Sequence, residues 1–294
     1  MTTVPRFKTI LASYPHTLPL KGGLVSSDKV TLAFEEVEPI HKAFKPMAMN
    51  QHADVCEMAI VTYLQAKSYN KPVFMLPFVV ASRFQQGCII HNTAVKPLDV
   101  SGLRNARVGV RSYSQTTGVW VRAILQNTYG IAPDQIEWIT FDPAHLAEYD
   151  DPSWCTRAPS HKALVPMLRA GEIDAAILGN DLPKEANLEP VIADHVAADN
   201  VWFQQNHFVP INHVVVMRRV SAQAHPATVS AVYEMLLEGK AKAKRTMLDI
   251  DYIPSGIDKL YDPLKLLIKF CNQQKLLARN LSVDEVFEDF LSFK

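Results

Sequence analysis

The chain has no excess of charge of either sign. Thirty Lys and Arg face thirty Asp and Glu among 294 residues, and no basic run or acidic tail upsets the balance. Without a one-signed field, nucleic acid and anionic membrane surfaces are not expected as partners. Long apolar runs are missing too: the most apolar stretch, 73–81, contains Pro77 and is too short to span a bilayer. The beginning shows no charged start, apolar core and small-residue cleavage pattern, so no secretory signal is read and a cytoplasmic location is expected. Cysteines are few and scattered; Cys56, Cys88, Cys155 and Cys271 show no paired spacing, which argues against a zinc ribbon or a disulfide scaffold. Cys56 and Cys88 sit in apolar runs and read as small buried hydrophobes. His-x-x-x-His, His-Glu-x-x-His and Gly-x-Ser-x-Gly patterns are absent, and so are the glycines of a Walker or dinucleotide loop. No metal site, serine nucleophile or phosphate-rich cofactor is expected.

What is present is a 48% hydrophobic, 20% charged chain of ordinary globular type. Its first part alternates short β-rich runs (8–12, 30–37, 53–57, 73–80, 87–91, 107–110, 173–178) with helical ones (41–50, 60–68, 116–129, 161–170). Gly130 and Pro133 stop the 116–129 helix, and Gly171 closes the 161–170 helix. Such alternation predicts an α/β sheet with mostly parallel strands. After a strand at 213–218 the pattern turns helical, at 228–244, 260–277 and a short helix after Ser282, where Ser282 and Glu285 have capping-box spacing. No repeat, low-complexity segment or linker interrupts the chain.

In open α/β sheets ligands bind beyond the carboxyl ends of the strands. Applied here, that rule gathers Tyr14, His16 and Thr17 after the first strand, Glu57 on the third, and Arg83 after the fourth. Arg111, Ser112, Tyr113, Ser114, Thr116 and Thr117 follow the 107–110 strand, and Asn180 follows the 173–178 strand. The 109–118 segment runs from a strand through a polar loop into a helix, so backbone N–H groups and the positive helix end face the loop. Lacking phosphate-loop glycines, it suits a carboxylate; the plainer alternative is that Ser114 and Thr116 merely cap the helix. Arg83 asks for an anion, either a ligand carboxylate or an internal acid. The four tryptophans read as core or lobe-interface residues, Trp120 being the one placed to meet a ligand from the first turns of that helix.

Ordered motifs run through the chain. They are Tyr14-Pro15-His16-Thr17, Val55-Cys56-Glu57-Met58, Ser82-Arg83-Phe84 and Arg107-Val108-Gly109-Val110 with Tyr113, Thr116 and Val119-Trp120-Val121-Arg122. Tyr129-Gly130, Gly171-Glu172-Ile173-Asp174-Ala175, Pro210-Ile211-Asn212-His213, His225-Pro226, and a tail over 272–277 and 281–287 complete the series. In this order the chain resembles the 4,5-dihydroxyphthalate decarboxylase family, relatives of type 2 periplasmic solute-binding proteins. The resemblance implies an α/β, two-lobed periplasmic-binding-protein-like fold with the ligand in the cleft between lobes. One lobe would comprise 1–88 and 208–294, the other 89–207, with hinges near 86–92 and 205–213. The chain departs from the family pattern at Arg111-Ser112 in place of Pro-Glu, at Gln86 in place of a histidine, and in Phe208-Val209-Pro210-Ile211-Asn212-His213. The acidic block that precedes the last long helix in the family is not recognisable around 255–262.

The implied activity is cofactor-independent decarboxylation of a hydroxylated aromatic acid. A base near a phenol, an acid near the ring carbon and cations for the carboxylates are required. His16 and His213 are the candidate acid/base pair, since imidazole works in either direction; Glu57 orients one of them or accepts the phenolic proton. Arg83, Arg111, Thr116 and Thr117 are the candidate carboxylate contacts, and Trp120 or Tyr14 the surface on which the ring stacks. Thr17, Tyr113, Asn180, His207 and Asn212 are further candidate ligand contacts. The expected partner is a small aromatic carboxylate, with a homo-oligomer left open. The alternative on the same fold is a non-catalytic binder of such acids.

Overall fold

The computed structural model describes residues 3–179, 184–243 and 250–293. Its strands are β1 (Arg6–Ile10), β2 (Thr31–Phe34), β3 (Val55–Ala59), β4 (Val73–Ser82), β5 (Ile89–Asn92), β6 (Arg107–Val110), β7 (Glu137–Thr140), β8 (Cys155–Arg157), β9 (Ala175–Ile177), β10 (Leu188–Pro190) and β11 (Ile211–Arg218). The helices are α1 (Leu18–Lys21), α2 (Phe44–Asn50), α3 (Ile60–Ser68), α4 (Thr116–Tyr129), α5 (Leu164–Arg169), α6 (His195–Asn206), α7 (Arg219–Ala224), α8 (Ala227–Lys242), α9 (Ile257–Gln273) and α10 (Val283–Phe293). Two compact units result, one of residues 1–82, 211–268 and 277–294, the other of 83–210 and 269–276. Compared with the expected lobes, 83–88, 208–210 and 269–276 belong to the second unit. The reason lies in their partners: Arg83 N donates to Pro210 O, Phe270 meets Trp120, and Gln274 bonds Arg122 and Val119.

The first unit is built on a sheet ordered β2-β1-β3-β11-β4. β1 pairs in parallel with β2 and β3, while β11 runs antiparallel to both β3 and β4. β1, β3 and β4 therefore end on the same side, where β11 begins, and His213 stands opposite both Ala59 and Ala81. β3 is buried throughout and β4 along most of its length, which is why Val-Cys-Glu-Met-Ala and Val-Phe-Met-Leu-Pro-Phe-Val-Val show little polar alternation. Pro77 is tolerated because β4 is the outer strand of the sheet. Its carbonyl accepts from Gly256 N at 2.9 Å, and Val79 N donates to Pro254 O at 3.1 Å, so the chain at 254–256 covers that edge. Phe7, Leu11, Phe74, Leu76, Phe78, Val215 and Met217 form the core with Val229, Val232 and Leu236 of α8 and Phe290 of α10. The capping box expected at α10 is formed: Ser282 Oγ accepts from Glu285 N at 3.1 Å, and Glu285 accepts from Ser282 N at 2.8 Å.

The second unit carries a sheet ordered β10-β5-β9-β6-β7-β8. β6 is parallel to β7 and β9, and β5 is antiparallel to β9 and β10. In each sheet one strand runs against the rest, β11 in the first and β5 in the second, so the strands are mostly parallel as expected, with a mixed hydrogen-bond ladder around the reversed strand. α4 ends as its signals require, with Gly130 at φ 67° donating its N–H to Leu125 O.

Other differences have local causes. The helix expected over 161–170 is only Leu164–Arg169, because an earlier start would put Pro166, which has no N–H, beyond the first turn. The short strands β7, β8 and β10 and the polar helix α6 escaped reading, since none shows a sustained period of two or of 3.6 residues. Of the 228–244 helix, α8 supplies 227–242 and Lys244 lies outside the described residues. No helix among the described residues is long and apolar enough to cross a membrane.

Candidate functional site

The polar centre of the first unit is Glu57, on β3 opposite Val215 of β11 and one residue beyond Cys56, the partner of Ile10 on β1. Its side chain is fully buried. An enclosed carboxylate requires donors, and Glu57 has three: Oε2 accepts from Ala12 N at 3.0 Å, and Oε1 accepts from Tyr14 Oη at 2.9 Å and from His213 Nδ1 at 2.7 Å. The loop after β1 delivers two of these. Thr17 closes that loop by accepting from Tyr14 N at 2.8 Å and donating to Ala12 O at 2.6 Å, and it is itself fully buried. Thr17 shapes the loop from inside and offers no ligand contact, which corrects its expected role.

His213 reaches Glu57 from the start of β11, where the pairing with β4 shifts register on both sides of it. Because a carboxylate only accepts, Nδ1 carries the proton and Nε2 is left for other chemistry. The His213 side chain is 22% exposed, so the buried charge of Glu57 has a route outward through this ring. Phe44 of α2 meets the ring edge-on at 5.0 Å between centroids. No motif singled out Phe44.

Tyr14 and His16 stack nearly parallel, 3° apart at 5.3 Å. Burial, with the charge of Glu57 and the hydrogen bond to it, pushes the Tyr14 phenol well above its ordinary range, so it stays a donor. With its hydroxyl on Glu57 and one face of its ring against His16, Tyr14 orients the carboxylate. His16 is 3% exposed. Burial lowers its pKa from 6.5 to about 4, outweighing the nearby Glu57 and a hydrogen bond to the Val80 backbone. A ring with that pKa is neutral at pH 7 and carries no acidic proton to give. Of the His16–His213 pair, in which either ring could be acid or base, this leaves His16 an acceptor at pH 7.

The second unit holds the cations. Arg83, just after β4, donates from Nη2 to Thr117 Oγ1 at 2.7 Å and lies so near Gly179 that a Cβ there would come 3.3 Å from Nη2. Thr116 and Thr117, both buried, open α4. The N-cap is Gln115, whose side chain makes no capping bond, and Ser114 pairs with Ser112 at 3.3 Å, so the plain reading of Ser114 and Thr116 as caps is corrected. Arg111 has an internal acid, Asp142, at 3.8 Å. Tyr113 is fully buried: its hydroxyl accepts from Trp154 Nε1 at 3.0 Å and its ring lies 3.8 Å beneath the Arg122 guanidinium. Trp120 is also fully buried, between Trp202, Phe208 and Phe270. Both are core residues, which corrects their expected ligand contacts. His207 is exposed and ends α6 at φ 59°, Asn212 is buried beside His213 on β11, and Asn180 lies outside the described residues. Arg122, fully buried and not among the candidates, gives Nε to Gln274 Oε1 at 2.7 Å and Nη2 to the Tyr113 carbonyl. Among the described residues no group of three or more His, Cys, Asp and Glu side chains is placed to hold a metal ion.

No family model matches the chain. It is 23% identical over 274 residues to a 4,5-dihydroxyphthalate decarboxylase of Comamonas testosteroni, covering 87% of this chain and 81% of that protein. A 4,5-dihydroxyphthalate decarboxylase of Pseudomonas putida is 25% identical over 177 residues, covering 57% of this chain and 67% of that protein. Among solved structures, the alkanesulfonate-binding protein SsuA of Xanthomonas axonopodis pv. citri, bound to MOPS, matches with a TM-score of 0.61 at 12% identity, over 97% of this chain and 98% of that one. A Candida albicans protein with the generic periplasmic binding protein fold matches with a TM-score of 0.51 at 11% identity, over 99% of this chain and 95% of that one. At these identities the structural likeness establishes the fold, which is the two-lobed α/β fold of periplasmic binding proteins.

Proposed function

We propose that the chain is a carboxy-lyase that removes CO2 from a hydroxylated aromatic carboxylic acid such as 4,5-dihydroxyphthalate, without a cofactor. The observation that carries this reading is the Glu57–His213 pair: a buried carboxylate that fixes the Nδ1 proton of a partly exposed imidazole and leaves Nε2 as a base. The named activity of the two distant relatives supports it.

In this mechanism His213 Nε2 takes the phenolic proton, and Glu57 stabilises the imidazolium that forms. The phenolate pushes electron density into the ring, which takes a proton from solvent at the carbon bearing the carboxylate. The C–C bond then breaks, CO2 leaves, and its electron pair restores the aromatic phenolate, which recovers its proton from His213. One solvent proton is consumed per CO2 released.

The test is incubation of the purified chain with 4,5-dihydroxyphthalate, following CO2 and 3,4-dihydroxybenzoate. Turnover that falls by about 10²–10⁴ in His213→Ala is expected. Full activity in that variant would remove His213 from the chemistry. Binding with no product from the wild type would instead make the chain a solute-binding protein, the other use of its fold.

A further inference from the structure

His213 stands where the sheet gives its side chain little guidance. Toward β3 the ladder is regular: His213 is opposite Ala59 and Glu57 is opposite Val215, which makes His213 and Glu57 diagonal neighbours on one face. Toward β4 the ladder is broken. From Ile211 to His213 the chain takes two steps on β11 against one on β4, from Ser82 to Ala81. From His213 to Val214 it takes one step against two, from Ala81 to Val79. Regular pleating does not run through such a bulge, so the pleat alone does not aim the ring.

The bond to Glu57 supplies one constraint, at Nδ1. One constraint does not fix an imidazole. The torsion that turns the ring about its bond to Cβ is broad and roughly two-fold, so half a turn exchanges Nδ1 with Cδ2 and Nε2 with Cε1. A second group has to bear on the plane of the ring, and Phe44 does: the two centroids lie 5.0 Å apart and the planes cross at 77°. A near-perpendicular contact at that distance is a preferred arrangement of two rings. Phe44 is itself held fast. It is 2% exposed and opens α2, whose Met47 and Ala48 are fully buried and which packs on β3 and α3. Both groups that bear on the imidazole are therefore anchored to β3, Glu57 as part of the strand and Phe44 on the helix against it.

We infer that Phe44 is a positioning residue: its ring plane, together with the Glu57 bond at Nδ1, holds His213 in the orientation that presents Nε2 as the base. The use of that orientation in turnover rests on the decarboxylase reading above; the orientation itself does not. Without the aromatic ring, His213 turns about its bond to Cβ, Nδ1 leaves Glu57 for part of the time, and the proton no longer has one fixed nitrogen.

The experiment compares the full-length wild type with Phe44→Leu and Phe44→Tyr. His213 is read by ¹⁵N resonance without substrate at about pH 9, where an ordinary imidazole is neutral, and kcat and KM are measured with 4,5-dihydroxyphthalate. The wild type is expected to show one protonated and one bare ring nitrogen. In Phe44→Leu the two resonances are expected to draw together as the second tautomer is populated, with kcat lower by about tenfold and KM changed by less than about twofold. Phe44→Tyr keeps the ring and is expected to keep the wild-type tautomer and kcat. Should the leucine variant not fold, Phe44→Met fills the space without a flat ring and carries the same test. A variant lacking the ring that keeps the wild-type ¹⁵N pattern overturns the assignment and leaves Phe44 a core residue, and so does an equal loss in Phe44→Tyr. If the wild type turns over no substrate, the decarboxylase reading falls, while the ¹⁵N pattern still decides whether Phe44 positions the ring.

Discussion

Glu57 in the first unit and Arg122 in the second are both fully buried charges, and they are used in opposite ways. Taking a charge out of water costs several kcal/mol unless its lone pairs or protons find partners. Arg122 finds them for Nε and Nη2 in the Gln274 side chain and the Tyr113 carbonyl, while Nη1 has no hydrogen-bond partner among the described residues and the guanidinium lies over the faces of Tyr113 and Trp138; those three residues are themselves fully buried. Glu57 also has three donors, but one of them, His213, is partly exposed. A closed set of partners makes a structural charge; a set with one member at the surface makes a chemical one. Burial alone does not distinguish the two.

The largest effect that would sharpen this contrast is on Arg122. Arg122→Met deletes a cation whose partners cannot reach water, leaving the Tyr113 carbonyl and the Gln274 amide short of a donor. A loss of about 3–5 kcal/mol in urea unfolding is expected. Glu57→Gln should behave differently. The amide keeps the shape of the side chain, so the fold should lose only about 1–3 kcal/mol, while decarboxylation falls by about 10²–10⁴ because Nδ1 of His213 loses its anionic partner. If Glu57→Gln unfolded the chain as readily as Arg122→Met, or turned over at the wild-type rate, the distinction would collapse.

The same contrast explains what was legible in the sequence. Glu57 is legible by the strand-end rule and His213 through the Pro210-Ile211-Asn212-His213 motif, and the pairing of β3 with β11 brings them to one end of a sheet. Tyr113, Trp120 and Thr17 are expected ligand contacts, yet Tyr113 and Trp120 meet groups far away in sequence, Trp154 and Phe270, and Thr17 turns back onto Ala12 within its own loop. A rule that places a residue near a strand end does not say whether its side chain turns outward or inward. Arg122 is not legible, since nothing in Val119-Trp120-Val121-Arg122 foretells a guanidinium packed on two rings. The reversal of β5 and β11 was equally hidden, because both have apolar runs like those of parallel strands and their direction is set by the chain's crossings.

A smaller effect concerns His16. Its native ring resists protonation down to about pH 4, whereas the unfolded ring protonates near 6.5. Between those values the unfolded state binds more protons, so stability falls as pH drops through that window, by up to about 3 kcal/mol, and the contribution levels off below it. In His16→Phe this part of the acid sensitivity is absent. Unfolding free energies of both proteins at pH 7 and pH 4.5 measure it, the other titrating groups being common to the pair. Equal acid losses would mean that His16 is not held neutral by the fold.

The smallest effect tests the inward-turned side of the comparison. Tyr113→Phe removes one hydroxyl, and with it the partner of Trp154 Nε1, while the ring remains beneath Arg122. A neutral hydrogen bond of this kind contributes about 1 kcal/mol, so a small drop in unfolding free energy is expected. Affinity for an aromatic carboxylate should be unmoved, because a hydroxyl occupied by an indole and closed off from water has nothing to offer a ligand. A variant with unaltered stability and weakened binding would reverse this: Tyr113 would then face the ligand, and the strand-end rule that first selected it would have been right about its direction as well as its place.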